Sequence, residues 1–174
     1  GNAIKQVKTP VFRTFIMKVF NLSDGELRTK ANRLSLTWED VKLISENSLV
    51  TIGNHTLNHS SLSKLTKEEV NKEIIEANKI LYERTGLTIK HFAYPYGGRN
   101  DVNKKVSNLL KNIPDIETAV LNLPGNISTS TLETLELIPR YPIGESFNLQ
   151  KLENQENGIL HFSSNGFNKK IQLD

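Results

Sequence analysis

The sequence predicts an α/β fold with a mostly parallel sheet, on two observations. Segments with apolar residues at helical spacing alternate with short β-branched or aromatic runs that end at Gly or Pro, the pattern of helices laid over a parallel sheet. The chain, 174 residues with 37% hydrophobic and 24% charged, also has material for one sizeable core and too little for two comfortable domains. It is therefore read as a single domain over residues 1–174, with a helical segment over 1–35, a β/α core over 36–145 and a C-terminal hairpin region over 146–174.

Within 1–35, Val11 to Phe20 sets Phe12, Phe15, Ile16, Val19 and Phe20 at helical spacing, and Ser23-Asp24-Gly25 is expected to break that helix. Over Leu36 to Asn47, Thr37 is placed to cap a helix carrying Val41, Leu43 and Ile44, with Glu39 and Asp40 in the first turn where negative charge suits the dipole. Leu49-Val50-Thr51-Ile52 then reads as a buried strand ending at Gly53. Thr66-Lys67-Glu68-Glu69 fits a capping box, and Val70, Ile74, Ala77 and Leu81 recur at helical steps until Gly86 stops the pattern. Thr88 to Tyr94 is the next expected strand, closed by Pro95 and Gly97-Gly98. Asn100 follows as the expected cap of a helix bearing Val102, Val106, Leu109 and Leu110. Ile116 to Leu121 and Leu135 to Tyr141 are further strand candidates. Ile159 to Ser163 and Phe167 to Leu173 flank Ser164-Asn165-Gly166, a pattern for a terminal β-hairpin.

Composition narrows function. Zero cysteines exclude a disulfide framework, a thiolate zinc site and a cysteine nucleophile. Twenty-two Lys+Arg against nineteen Asp+Glu give a formal +3, but the basic residues are scattered, which argues for a solvated exterior and against nucleic acid as a partner. No apolar run approaches the roughly 18 residues of a membrane span, and no signal-peptide core opens the chain, so no transmembrane segment is expected. Export of a longer precursor stays open, and the compartment undecided.

Two places can carry chemistry. Directly after the Leu49 to Ile52 run stands Gly53-Asn54-His55-Thr56-Leu57-Asn58-His59. Histidines four residues apart turn to one side if the chain coils there, and can share a metal ion. The same spacing also suits histidines that only cap a loop in an unrelated small α/β module. The second place is Phe92-Ala93-Tyr94-Pro95-Tyr96-Gly97. Pro95 fixes its own φ and Gly97 permits an unusual turn, so the Tyr96 amide can face the cleft of the histidines as an oxyanion donor. An aromatic strand end that packs and turns is the alternative.

In this order and separation, these segments resemble the polysaccharide deacetylase family, the NodB-like carbohydrate esterases, from about Leu36 to about Leu121. The Leu-Thr-Trp-Glu-Asp-Val helix start and Ile52 to Ser63 share in the resemblance with the Tyr-Pro-Tyr-Gly corner. It implies an incomplete distorted (β/α) barrel, a divalent metal, usually Zn2+, and hydrolysis of N-acetyl groups from amino sugars of a polysaccharide. His55 and His59 would be the histidine metal ligands, and Tyr96 would lend its backbone N–H to the tetrahedral intermediate. A place in the cell envelope or outside the cell is likewise implied. Asn58 is given no catalytic role.

The sequence also departs from the family. Members carry a strand ending in two adjacent aspartates, one activating water and the other ligating the metal, and no Asp-Asp pair occurs here. Asp24 is the nearest imitation, but it lies too close to His55 in sequence, and a turn after a helix is the better reading. Gly1-Asn2-Ala3 reads as a cloning remnant before a fragment that starts downstream of the aspartate strand; a naturally truncated or decayed homologue is the other reading. Ala93 stands where many members place an arginine, a charge Arg140 would supply from a later strand. His161 is the downstream candidate for the general acid, and His91 is read as structural. The expectation is thus a metal-dependent deacetylase in the intact parent, with this chain itself hydrolysing little or nothing and holding metal weakly. Its rival is a non-catalytic, degenerate carbohydrate-binding or scaffold protein. An open barrel edge further predicts rearrangement or a homodimer.

Overall fold

A computed structural model describes residues 14, 17–19, 21, 23–127, 129–141 and 148–156. Helix α1 spans Asp24–Leu34 and α2 spans Trp38–Ser45. After a 3₁₀ turn at Leu62–Lys64 comes the long helix α3, Lys67–Thr85. Strand β1 (His91–Ala93), helix α4 (Lys104–Lys111) and strand β2 (Thr118–Val120) follow. Two further 3₁₀ turns, Thr129–Glu133 and Leu135–Leu137, precede helix α5, Leu149–Glu156. The fold is mixed α/β with a small sheet.

Each well-formed helix begins where its side chains can replace missing backbone partners. Thr66 accepts from the Glu69 amide at 3.2 Å while the Glu69 carboxylate accepts from the Thr66 amide at 2.9 Å, and α3 ends at Gly86 in the left-handed region, φ 76°. Thr37 and Asp40 form the same reciprocal pair at α2. Ser23 and Glu26 form it at α1, so the break at Ser23 is at once the start of a further helix, with Asp24 and Gly25 in its first turn. The expected cap at Asn100 is corrected. Gly98 to Asp101 forms a turn closed by the Asp101 amide on the Gly98 carbonyl, and Asn103 caps α4 through its side chain on the Val106 amide at 3.0 Å.

The sheet is narrow and wholly parallel. β1 and β2 pair His91 with Thr118, Phe92 with Ala119 and Ala93 with Val120. Single parallel bridges extend it at both sides, Asn54 to Phe92 and Ile138 to Val120. Four chain segments therefore run side by side and leave at one end, carrying residues 55–59, 94–97, 121–123 and 140 there. The core beneath is built by Leu62, Val70, Ile74, Phe92, Tyr94, Val102, Val106, Leu110, Ala119 and Leu121. Full burial of each larger aliphatic side chain stabilises by about 1.5–3 kcal/mol.

Two strand expectations fail, each for a local reason. Leu49 to Ile52 is not a strand, and Leu49 is 92% exposed. Asn47 accepts the Leu49 amide on its side chain and the Val50 amide on its carbonyl, both at 2.9 Å, so the chain is still turning where the strand was expected. Pairing starts only at Asn54, whose amide and carbonyl bond the His91 carbonyl and the Ala93 amide. Leu135 to Tyr141 first closes a tight turn, the Leu137 amide on the Thr134 carbonyl at 2.9 Å, and becomes extended at Ile138. In the region assigned to a hairpin, α5 is a helix; both proposed hairpin strands lie outside the described residues, as does most of Val11 to Phe20. Among the described residues no helix is long and apolar enough to cross a membrane.

Candidate active site

The histidine turn is built outward from Asn54, which is fully buried. Its side-chain amide donates to the Ile74 carbonyl at 2.9 Å and to Asn78 Oδ1 at 2.6 Å, both on α3. Its Oδ1 accepts the Thr56 amide at 2.7 Å, starting a tight turn. Thr56 Oγ1 then accepts the His59 amide at 3.0 Å. Thr56 and His59 sit in the left-handed region, φ 68° and 55°, which costs on the order of 1–3 kcal/mol each in residues that bear a Cβ. Such conformations persist only where the surroundings over-determine them.

The turn brings the two imidazoles together. Their ring centroids lie 4.7 Å apart, edge to face. His55 Nδ1 lies 2.7 Å from the Ala93 carbonyl. A carbonyl only accepts, so Nδ1 carries a hydrogen, and of the two neutral tautomers the contact selects the one that offers the Nε2 lone pair, the form in which a histidine binds a metal. Partial burial, followed by the neighbouring His55, lowers the pKa of His59 below its ordinary value.

The aromatic corner closes on the same spot. The Tyr96 ring stacks edge-on against His59 at 4.8 Å. The Gly97 amide bonds the Pro95 carbonyl at 2.7 Å across Tyr96, whose φ is 60°. This is a γ-turn of the strained, positive-φ kind. Gly97 is required: a Cβ there would stand 2.6 Å from the Asn122 nitrogen and 3.2 Å from the Tyr94 carbonyl oxygen. The chain segments after β1 and β2 thus touch at Gly97 and Asn122, joined by the Asn122 amide on the Gly97 carbonyl.

Other expected site residues stand apart from this cluster. Arg140 reaches the same end of the sheet at the far edge, where its Nε donates to the Leu121 carbonyl at 2.8 Å. His161 lies outside the described residues. Asp24 is in the first turn of α1, and among the described residues no group of three or more His, Asp or Glu side chains is disposed to hold a metal ion. His91 Nδ1 meets Thr118 Oγ1 at 2.8 Å across the strand pair, a structural contact.

Sequence reasoning missed Asn54, Asn78 and Glu73, which hold the turn. Glu73, 8% exposed, accepts the Asn58 amide at 2.8 Å and the Asn58 side-chain amide at 2.7 Å on its two carboxylate oxygens. The available signal was a carboxylate inside the apolar stripe of α3, three residues after Val70 and four before Ala77, where burial of a charge needs a reason.

The family model for polysaccharide deacetylase matches residues 12–113, more than half of the chain and inclusive of both histidines and the Tyr-Pro-Tyr-Gly corner. The chain belongs to the polysaccharide deacetylase family. Its fold is similar to that of BA0330 of Bacillus anthracis, described as a polysaccharide deacetylase (24% identity, TM-score 0.60, 70% of this chain and 36% of that one). The polysaccharide deacetylase BC0361 of Bacillus cereus is similar at 21% identity and TM-score 0.60 over the same shares. The deacetylase PplD of Streptococcus pyogenes, solved with acetate, is similar at 18% identity and TM-score 0.60, covering 70% of this chain and 50% of that one. The chain thus spans about a third to a half of the length of these relatives. No curated protein matches the sequence.

Proposed function

We propose that this chain is the histidine-bearing part of a metal-dependent deacetylase that removes N-acetyl groups from amino sugars of a polysaccharide, its β/α unit being part of a distorted barrel. The observation that carries the reading is the convergence of two imidazoles and the Tyr96 corner at one end of the parallel sheet. The donors suit zinc, which favours neutral imidazole nitrogen, although two of them make an incomplete set.

In this reading His55 and His59 hold the cation. When bound, it supplies Lewis-acid polarisation of the acetamide carbonyl and lowers the pKa of water at the site. The Ala93 carbonyl keeps His55 in the tautomer that offers Nε2. In the same reading the Tyr96 backbone amide would donate to the negative charge that develops on the carbonyl oxygen. Arg140 and His161 are the proposed sources of positive charge and of a proton for the leaving amine. With no adjacent aspartates in the sequence, water lacks its base, so this chain holds metal weakly and hydrolyses little or nothing.

That same absence favours a second reading, a degenerate, non-catalytic member that binds an N-acetylated glycan. We also propose that the exposed run before Asn54 pairs two copies of the chain; a strictly monomeric species in sedimentation would refute this. Calorimetric titration with Zn2+ tests the main reading. Wild type should bind, and His59→Ala should bind at least tenfold more weakly; equal weak binding by both removes the site. Binding of N-acetylglucosamine oligomers without release of acetate would favour the second reading.

A further inference from the structure

Glu73 has its whole hydrogen-bonding capacity turned on the histidine loop. Both carboxylate oxygens are met by Asn58, through its main-chain and its side-chain amide, and the Glu73 main-chain carbonyl accepts the Leu57 amide at 3.0 Å. Residues 57 and 58 are the ones between the left-handed Thr56 and the left-handed His59. Both donors are amides of the same residue, so the carboxylate grips Asn58 at two points. An apolar side chain at this point of the α3 stripe would pack as well against the core and would release the turn.

We infer that Glu73 is a positioning residue for the two-histidine site: by clamping Asn58 to α3, it holds the 55–59 turn in the strained form that brings the two rings within contact. The inference rests on the metal reading for its functional meaning. The placement of the rings is a separate matter and is measurable in metal-free protein. Asn54, anchored to the Ile74 carbonyl and Asn78 one turn further along the helix, fixes the start of the turn; Glu73 fixes its end. Without the second anchor, Thr56 and His59 can relax to ordinary backbone angles, which swings the His59 ring away from His55 and Tyr96.

Glu73→Leu keeps the bulk but removes both acceptors, so neither the main-chain nor the side-chain amide of Asn58 is clamped to α3. Two measurements read the result: Zn2+ affinity by calorimetry, and proton cross-relaxation between the His55 and His59 rings in metal-free protein. The variant should bind Zn2+ about tenfold more weakly or worse, as expected when an outer partner of a ligand is lost. It should also lose the ring-to-ring signal while keeping that between Phe92 and Tyr94, whose rings are 5.1 Å apart in the core. Val106→Ala, a core change in α4, should lower the melting temperature and leave both readouts at wild-type values. Unchanged readouts in Glu73→Leu, or losses in Val106→Ala that track its stability, overturn the inference. If wild type itself fails to bind Zn2+, the metal reading falls and the ring signal alone decides the positioning role. Should Glu73→Leu not fold, Asn58→Asp, which sets two carboxylates face to face from the exposed side, carries the same test with the same outcomes.

Discussion

Gly86 and Gly97 share a left-handed backbone, φ 76° and 64°, and differ in what surrounds them, so replacing each with alanine separates backbone strain from close packing. At Gly86 an added Cβ meets nothing within 4 Å. The cost is then the left-handed penalty of about 1–2 kcal/mol, offset in part by the stiffer unfolded chain, leaving about 1 kcal/mol. At Gly97 the Cβ would lie 2.6 Å from the Asn122 nitrogen, 3.1 Å from the Asn122 Cβ and 3.2 Å from the Tyr94 carbonyl oxygen. Two of these are main-chain atoms, and none can rotate aside. Overpacking adds about 1–3 kcal/mol, and the 2.9 Å bond from the Asn122 amide to the Gly97 carbonyl is forced apart as well. Gly97→Ala should therefore cost about 3 kcal/mol or more. In urea unfolding with a slope of about 2 kcal/mol/M, the midpoint should fall by about 0.5 M for Gly86→Ala and about 1.5 M for Gly97→Ala. Midpoints agreeing within about 0.3 M would refute the close approach of the two strand-end segments, and with it the reason for the Tyr96 turn.

Three further outcomes are expected. Asn54→Ala removes three side-chain bonds, one of them fully buried, and leaves the Ile74 carbonyl and the Thr56 amide without them; a loss of roughly 2–4 kcal/mol is expected in the same urea assay. The amide and hydroxyl of Thr37 hold the Asp40 carboxyl below its ordinary value of 3.8. The cap is thus fully stabilising above that pH and is lost as pH falls through the depressed native pKa, because the unfolded chain takes up the proton first. Asp40→Asn should flatten this part of the acid limb of stability against pH. The chain has a single tryptophan, and Arg84 lies 5.8 Å over its ring at the contact of α2 with α3; Arg84→Ala should shift Trp38 fluorescence and cost about 0.5–1 kcal/mol.

Elements whose ends are fixed by local chemistry were legible in the sequence. Thr66 with Glu69, Gly86, and Thr37 in its cap act within four residues of themselves, and they delimit α2 and α3 where the pattern said. Ser23 with Glu26 has the same form, and its signal is masked by the apolar run that precedes it. Leu49 to Ile52 misled for the opposite reason. Its β-branched run satisfies strand propensity, but whether it pairs depends on a neighbour, and Asn47 turns the chain until Asn54. At the candidate site, His55, His59 and Tyr96 stood out as chemistry-bearing residues at loop starts. Asn54, Asn78 and Glu73 bond across 15 to 24 positions, a separation that leaves no periodic trace. Only the charge in the apolar stripe of α3 hinted at one of them.

The parallel ladder joins Asn54 to Phe92 and Val120 to Ile138, partners that meet only after long stretches of intervening chain have been ordered. Contacts of that span form slowly, because loop closure must precede any reward. The imidazole pair and the tyrosine corner sit on the segments this ladder aligns, so their encounter is expected late in folding. A stopped-flow experiment following that encounter should report the last kinetic phase, after the helices have acquired their circular dichroism.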